Sequence, residues 1–345
     1  MRVAAERALD RRAAPWSIRA DDWFDEVERL RTLFARVAGA DPDGVAIVPS
    51  TSYGLAVAAA NTDAAPRDRV VLLAGDFPSN AQTWTAWAER AGAEVVTVER
   101  ADDGWTEPLL TSLDERVRVV SAPSVYWVDG SAIELERVAD RAREVGALLV
   151  VDATQSLGAM PLDLAAVRPD YLVTAGYKWL LGPLGTSYLY VAPEHRDGRP
   201  LEENWANRAG AEDFEQAESP ERGYRPGARR FDAGQRSNFV LVPMAIAALE
   251  QVLGWGVHEI AAGLAPLTDR IEEQTEAMGL APVPARLRAP HMLGIGLSAG
   301  MAERWSAADV DVELLGSVMR VSPHLHVTDR DLGRLFSALE KSIVS

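Results

Sequence analysis

The chain has 345 residues, of which 48% are hydrophobic, and its formal net charge is −16. This length and apolar content suffice for one large hydrophobic core, or for a large domain plus a smaller one. The acidic excess argues against a nucleic-acid partner, because an acidic surface repels phosphate backbones. The sequence contains no cysteine, which excludes disulfide bonds, thiolate metal sites and a cysteine nucleophile.

The sequence gives no sign of a membrane segment or a secretory signal. No apolar run approaches the ~18 residues that a membrane span needs. The amino terminus carries an acid, Glu6, and lacks the apolar core of a signal peptide. These features predict a soluble cytoplasmic protein with no membrane partner.

Predicted helices and strands alternate along most of the chain. Short apolar runs predict strands at residues 45–49, 70–74, 94–98, 117–121, 148–151 and 171–174. Helical spacing of apolar residues predicts helices at residues 3–9, 21–39, 51–60, 83–91, 133–145 and 240–255. This alternation predicts a doubly wound α/β domain with a mainly parallel sheet.

The later part of the chain predicts a second, smaller domain. Residues 193–230 are rich in charge, proline and glycine, and we interpret them as an irregular excursion. A long connecting helix is predicted at residues 258–278, followed by short strands and helices. We therefore assign residues 1–256 to a large domain and residues 257–345 to a small α/β domain.

Two charged residues follow neighbouring predicted strands. Asp152 ends the apolar run 148–151, and Lys178 comes shortly after the run 171–174. In open α/β sheets, ligands bind beyond the carboxyl ends of the strands. An acid and a lysine at that edge suit pyridoxal 5′-phosphate (PLP), because the lysine forms a Schiff base and the acid pairs with the pyridinium nitrogen. The alternatives are a helix N-cap for Asp152 and a solvated loop lysine, but the residues around Lys178 are apolar or glycine.

The stretch from Asp152 to Gly185 resembles the cofactor segment of the class V aminotransferases, a branch of PLP fold type I. That branch includes cysteine desulfurases, kynureninases, isopenicillin-N epimerases and C–S lyases. The resemblance runs from about residue 40 to the C-terminus and implies a PLP-dependent enzyme that forms a homodimer. Relatives usually begin with an extra strand and turn, so the large domain's N-terminal segment is expected to be shortened here.

The resemblance assigns roles to individual residues of this segment. Lys178 is the catalytic Schiff-base lysine, and Asp152 is the partner of the pyridine nitrogen. Gln155 matches the residue that donates to the ring oxygen O3′. Tyr177 matches a kynureninase tyrosine whose hydroxyl reaches the phosphate, whereas Ala175 replaces a serine of the desulfurases, so one phosphate hydroxyl is missing.

Two further segments match cofactor contacts of the family. Hydroxyls and backbone N–H groups at a helix N-terminus make an anion site, and Thr51 and Ser52 match the turn that grips the phosphate. The alternative for the segment from Ser50 to Gly54 is an ordinary Ser/Thr N-cap. Phe77 matches a phenylalanine that stacks on the pyridine ring, and the alternative is a core position.

The last two matches concern the partner subunit and the substrate. Residues 230–239 resemble a loop that reaches the phosphate of the other subunit, which makes Gln235 a cofactor contact supplied by the partner. Arg320 matches the arginine that binds the α-carboxylate of an amino-acid substrate in a bidentate fork. The sequence predicts no metal ligands.

The reaction type is open among three that follow removal of the Cα proton. The leading hypothesis is a C–S β-lyase acting on a cysteine-derived substrate, followed by an aminotransferase that uses a 2-oxo acid, and then by an epimerase. Persulfide-forming desulfuration is disfavoured, because the chain has no cysteine to accept sulfur. The non-enzymatic alternative is a binding module that keeps the fold without catalysis.

Overall fold

A seven-stranded sheet forms the centre of the larger part of the fold in the computed structural model, which describes residues 1–214, 223–298, 300–305 and 310–344. The spatial order is β1-β7-β6-β5-β4-β2-β3. In chain order the strands are β1 (Val45–Val48), β2 (Arg69–Leu73), β3 (Glu94–Val98), β4 (Val117–Pro123), β5 (Leu148–Asp152), β6 (Tyr171–Ala175) and β7 (Ser187–Val191). Strands β2 to β6 pair in parallel, while β7 is antiparallel to both of its neighbours.

Helices cover both faces of this sheet, as the doubly wound prediction requires. They are α1 (Arg2–Ala13), α2 (Asp25–Ala38), α3 (Thr51–Ala60), α4 (Pro78–Ala91), α5 (Thr106–Ser112), α6 (Leu135–Val145), α7 (Leu164–Val167) and α8 (Leu241–Trp255). Alternate residues of one strand pack into different cores. Val71 joins the core that contains α2 and α6, whereas Val70 joins the core that contains α3 and α4. A strand buried on both faces therefore needs a continuous apolar run.

The elements differ from the prediction at several places. Helices α5 (Thr106–Ser112) and α7 (Leu164–Val167) were not predicted. The sequence analysis places no strand at Ser187–Val191, although its aromatic and β-branched residues favour one. Helix α4 begins at Pro78, five residues before the predicted residue 83. Proline suits the first helical position, because its missing N–H has no acceptor there in any case.

A second sheet lies in the C-terminal part of the chain. Helix α9 (Val257–Ala277) leads to β8 (Ala281–Pro282), β9 (Leu293–Gly296), α10 (Met301–Arg304), β10 (Glu313–Leu315), β11 (Val318–Val321) and α11 (Asp329–Val344). The four strands are antiparallel in the order β10-β11-β9-β8. Residues of α9 and α11 pack on one core with β9 and β11. Helices α8 and α9 meet at 74° around Gly256, where the predicted domain boundary falls.

Among the described residues, no single helix is both long and apolar enough to cross a membrane, and α8 with α9 qualifies only as a pair and by length and composition.

A buried ion pair fixes the segment that carries Gln235. Arg31 Nη2 lies 2.7 Å from Asp232 Oδ2, and both side chains are fully buried. The backbone N–H of Ile47 donates to Asp232 Oδ1 at 2.8 Å, and Arg236 contributes a second guanidinium to the same carboxylate. A buried charge without a partner is strongly destabilising. The carboxylate therefore holds the 230–239 segment against α2 and β1.

Candidate active site

A tight loop after β6 presents Lys178. The N–H of Gly182 donates to the carbonyl oxygen of Gly176 at 2.8 Å, and the N–H of Leu181 donates to that of Lys178 at 3.0 Å. A Cβ at Gly176 would collide with the carbonyl oxygen of Thr186. Only glycine allows this approach, and the closed loop holds Lys178 at the carboxyl edge of the sheet.

Asp152 reaches the same edge from the neighbouring strand. It ends β5, where it pairs in register with Val173 of β6. The N–H of Thr154 donates to Asp152 Oδ1 at 2.9 Å, and Thr154 Oγ1 accepts the N–H of Ala175 at 3.1 Å. These bonds link the ends of the two strands, so the carboxylate and the lysine loop are positioned together.

Burial acts on both charges. It raises the pKa of Asp152, although the bonds from Thr154 and the charge of Lys178 oppose that change. Burial also lowers the pKa of Lys178, while Asp152 raises it and Arg320 lowers it further. Lys178 thus releases its proton more readily than a solvated lysine does.

Seven of the predicted site residues line one cavity of about 360 Å³. They come from the ends of four strands and the loops that follow them: Thr51, Ser52, Phe77, Asp152, Gln155, Tyr177 and Lys178. Within the described ranges, no group of three or more His, Asp or Glu side chains is arranged to hold a metal ion. The cavity therefore offers an amine, a carboxylate, an aromatic ring and hydroxyls to a ligand.

Phe77 forms an aromatic wall of this cavity. Lys178 Nζ lies 5.8 Å from the centroid of the Phe77 ring. The Phe77 side chain is 38% exposed, so the core alternative is wrong. Trp127 meets the ring edge-on, with centroids 5.7 Å apart. Phe77 is thus partly exposed and lines the cavity, where a flat ligand can pack against its ring.

Hydroxyl groups gather at the start of α3. Ser50 is the N-cap, and its Oγ accepts the N–H of Tyr53 at 3.1 Å. Ser50 is therefore the ordinary N-cap that was the alternative for this segment, while Thr51 and Ser52 both line the cavity. Ser52 Oγ donates to Ser79 Oγ at 2.9 Å. The first N–H groups of a helix lack intrahelical acceptors, so this end of the cavity suits an anion.

Arg320 and Gln235 lie outside the set that lines the cavity. Arg320, on β11, donates through Nη1 to the carbonyl oxygen of Trp127, and its Nη2 lies 3.9 Å from Glu313 Oε2. Trp127 lines the cavity, so Arg320 lies one residue behind the cavity wall. Gln235 is exposed and lines a different cavity with Phe239. A single chain does not bring Gln235 to Lys178.

Sequence reasoning missed Trp127 and Asp76, which also line the cavity. Asp76 accepts the N–H of Phe77 at 2.7 Å and a side-chain N–H of Asn80 at 2.7 Å. Burial raises the pKa of Asp76 to about 7, and the neighbouring charge of Asp152 adds to the effect. Its position in the sequence could have revealed Asp76, since it comes three residues after the end of β2 and immediately before Phe77.

A family model, aminotransferase class-V, matches residues 17–304. The chain belongs to the class V aminotransferase family, whose members are PLP-dependent enzymes. This match confirms the resemblance that the sequence analysis draws from the residues around Lys178.

Curated relatives carry several different names. The chain is 33% identical over 245 residues to the uncharacterized aminotransferase YcbU of Bacillus subtilis (strain 168), covering 69% of this chain and 63% of that protein. It is 29% identical over 232 residues to probable cysteine desulfurase 2 of Mycobacterium leprae (strain TN), covering 65% and 54%. Isopenicillin N epimerase of Amycolatopsis lactamdurans is 27% identical over 348 residues, covering 90% and 83%. The first two matches span less than two thirds of those relatives.

Solved structures show the fold. The cystine C–S lyase C-DES, in complex with its reaction product cysteine persulfide, has a TM-score of 0.86 and 18% identity, covering 97% of this chain and 92% of that chain. The cysteine desulfurase from Thermococcus onnurineus NA1 has a TM-score of 0.81 and 18% identity, covering 98% and 90%. These likenesses confirm PLP fold type I.

The raised pKa of Asp76 predicts a pH-dependent stability. A proton held up to about pH 7 in the folded protein is lost near pH 4 in the unfolded chain, so stability falls as pH rises between these values. The unfolding free energy of the unmodified protein should therefore fall between about pH 5 and about pH 8. In Asp76→Asn this fall should be smaller by on the order of 2–3 kcal/mol. Urea denaturation of the PLP-free protein measures this.

The matched control is Asp102→Asn, since Asp102 is an exposed aspartate. That variant should keep the pH dependence of the unmodified protein. An unchanged pH dependence in Asp76→Asn as well would contradict the assignment of a buried, proton-holding carboxyl.

Proposed function

We propose that this chain is a PLP-dependent C–S β-lyase that acts at the α-carbon of a small, cysteine-derived amino acid. The observation that carries the proposal is the presence of Lys178 and Asp152 in one cavity at the carboxyl ends of adjacent parallel strands. Lysine amine and buried carboxylate are the two groups that PLP requires at opposite ends of its ring.

The other groups of the cavity match the remaining parts of PLP. The partly exposed ring of Phe77 suits the pyridine ring, and stacking of this kind contributes about 0.5–1.5 kcal/mol beyond burial. Thr51 and Ser52 at the start of α3 suit the phosphate, and Tyr177 stands with its ring 46% exposed at the cavity. Gln155 is the donor for the ring oxygen.

PLP, when bound, supplies an electron sink that stabilises negative charge at the α-carbon of an attached amino acid. The chain's own residues supply the rest. Lys178, whose pKa is lowered by burial, removes the proton from the α-carbon as a general base. Asp152 keeps the pyridine nitrogen protonated, and Arg320 binds the α-carboxylate through its planar fork.

The composition of the chain disfavours persulfide-forming desulfuration. Without a cysteine, the chain has no thiol to take up sulfur, so sulfur cleaved from the substrate leaves as a free thiol. The similar fold of a cystine C–S lyase agrees with this proposal. The non-enzymatic alternative is disfavoured, because a binding module has no need for a buried lysine facing a buried carboxylate.

Aminotransfer is the second candidate, and an epimerase the third. The observation that favours aminotransfer is 33% identity to a Bacillus protein named as an aminotransferase. The epimerase is supported by a relative that aligns with 90% of this chain. All three reactions start with the same proton removal by Lys178.

We also propose a homodimer in which Gln235 of each chain completes the other chain's site. Gln235 is exposed on a segment that Asp232 anchors, and Leu184 at the cavity is 71% exposed. With the partly exposed Phe77 and Tyr177, Leu184 forms an apolar rim that suits burial against a second subunit.

The chain has two lysines, Lys178 and Lys341, which provide a matched pair of variants. After addition of PLP and removal of the excess, Lys178→Ala should lack the visible absorbance of lysine-bound PLP, because no amine faces Asp152. Lys341→Ala should keep that band. Equal bands in the two variants would refute the assignment.

The reaction type is tested with a panel of S-substituted cysteines and of amino acids paired with 2-oxo acids. The lyase should release pyruvate and ammonia without an oxo acid. Consumption of the amino acid that stops after one turnover, and resumes only when an oxo acid is added, would establish the aminotransferase instead. Loss of optical activity without either product would establish the epimerase.

Sedimentation of the PLP-loaded protein tests the dimer. A dimer is expected. Gln235→Ala should weaken PLP binding several-fold, because one phosphate contact is lost, and the dimer should stay intact. A monomer at full PLP occupancy would rule out a site that is shared between subunits.

A further inference from the structure

His291, in the C-terminal part of the chain, contacts two segments that supply residues to the cavity. Its side chain is fully buried, and its Nε2 atom lies 2.5 Å from the carbonyl oxygen of Gln155. The ring also meets Trp179 edge-on, with centroids 4.5 Å apart. Because Trp179 follows Lys178 in the chain, one imidazole touches both segments that supply the cavity's central residues.

The hydrogen bond fixes the tautomer of His291. A carbonyl oxygen only accepts, so Nε2 must carry the hydrogen and donate it. Burial lowers the pKa of His291 to about 4, which keeps the ring neutral near pH 7. The Nδ1 atom has no hydrogen-bond partner among the described residues. A buried polar atom without a partner costs stability, so the bond from Nε2 is the polar interaction that compensates for burial of this ring.

The strand after His291 is tied to Arg320. In the antiparallel pair of β9 and β11, Gly294 lies opposite Arg320. The N–H of Gly294 donates to the carbonyl oxygen of Asp129 at 2.8 Å. A Cβ at Gly294 would lie 2.5 Å from the Cβ of Asp129, which allows no larger residue. With Arg320 bonded to the carbonyl of Trp127, the β9–β11 pair is held firmly on the cavity wall.

We propose that His291 is a positioning residue that holds the Gln155 backbone, and so fixes the approach of the Gln155 side chain to O3′ of PLP. The same contact ties the cofactor segment to the strand pair that carries Arg320. This inference rests on the proposed function, since it requires PLP in the cavity.

The consequence is a measurable shift in a proton equilibrium. A donor to O3′ stabilises negative charge on that oxygen, and this favours release of the proton at the Lys178 nitrogen. A misplaced Gln155 weakens the donor, so that proton should leave at a higher pH. The pH midpoint of the visible absorbance of lysine-bound PLP reports this change.

Two amides at position 291 provide the test. In His291→Gln, the amide nitrogen reaches the place of Nε2 and can still donate to the Gln155 carbonyl. In His291→Asn, the amide nitrogen takes the place of Nδ1, which bonds to nothing in the described residues. We expect His291→Asn to raise the midpoint by on the order of half a pH unit, the size of a weakened hydrogen bond. His291→Gln should stay close to the unmodified protein.

The background variant Gln155→Leu separates positioning from a general structural effect. If His291 acts through Gln155, adding His291→Asn to Gln155→Leu should produce no further shift. The unfolding free energy of every variant is measured alongside, so that a loss of stability is recognised as such.

The outcomes are distinct. Equal midpoints in the unmodified protein and in His291→Asn, or a full additional shift in the Gln155→Leu background, would overturn the role of His291 while leaving the proposed function intact. Absence of a visible band in the unmodified protein would contradict the proposed function, and the inference would fall with it.

Discussion

The parallel register of β5 and β6 is the constraint on which the site depends. It sets Asp152 beside Val173, so the carboxylate lies at the edge where the Lys178 loop begins. The bond from Ala175 to Thr154 joins the two strand ends. A shift of one residue would turn Asp152 to the other face of the sheet. The buried apolar runs that specify the register thereby also specify the chemistry.

The electrostatics of the cavity follow from the same burial. Asp76 and Asp152 are two carboxyls in one low-dielectric space, and the pKa of each is raised. The lysine opposite them has a lowered pKa. Burial therefore makes the neutral form of each group easier to reach than in water, and at Lys178 this favours the free amine that a general base needs. Burial, which is a cost to folding, is what prepares Lys178 to act as a base.

Much of the fold could be predicted from the sequence, because strands buried on both faces leave continuous apolar runs and helices leave a 3.6-residue period. The resemblance to the class V aminotransferases supplied seven of the residues that line the cavity, all of which lie at or beyond the ends of strands. The strand Ser187–Val191 was missed although its aromatic and β-branched residues favour one, because it is short and adjoins an irregular segment. The predicted boundary at residue 256 stays a prediction, although Gly256 marks a sharp bend.

Contacts between distant segments could not be predicted. Arg320 bonds to Trp127, 193 positions earlier, and His291 bonds to Gln155, 136 positions earlier. Neither pair leaves a local pattern, because tertiary packing alone brings the partners together. Asp76 sits in a segment that was singled out and Trp127 in one that was not, and the direction of both toward the cavity depends on the turns after β2 and β4.

Reductive trapping tests the central claim most directly. Borohydride converts the bond between PLP and a lysine into a stable one, and peptide mapping by mass spectrometry then identifies the modified lysine. We predict that the pyridoxyl group is found on the peptide that contains Lys178, and not on the peptide that contains Lys341. A modification on Lys341 alone, or none in the PLP-loaded protein, would contradict the account.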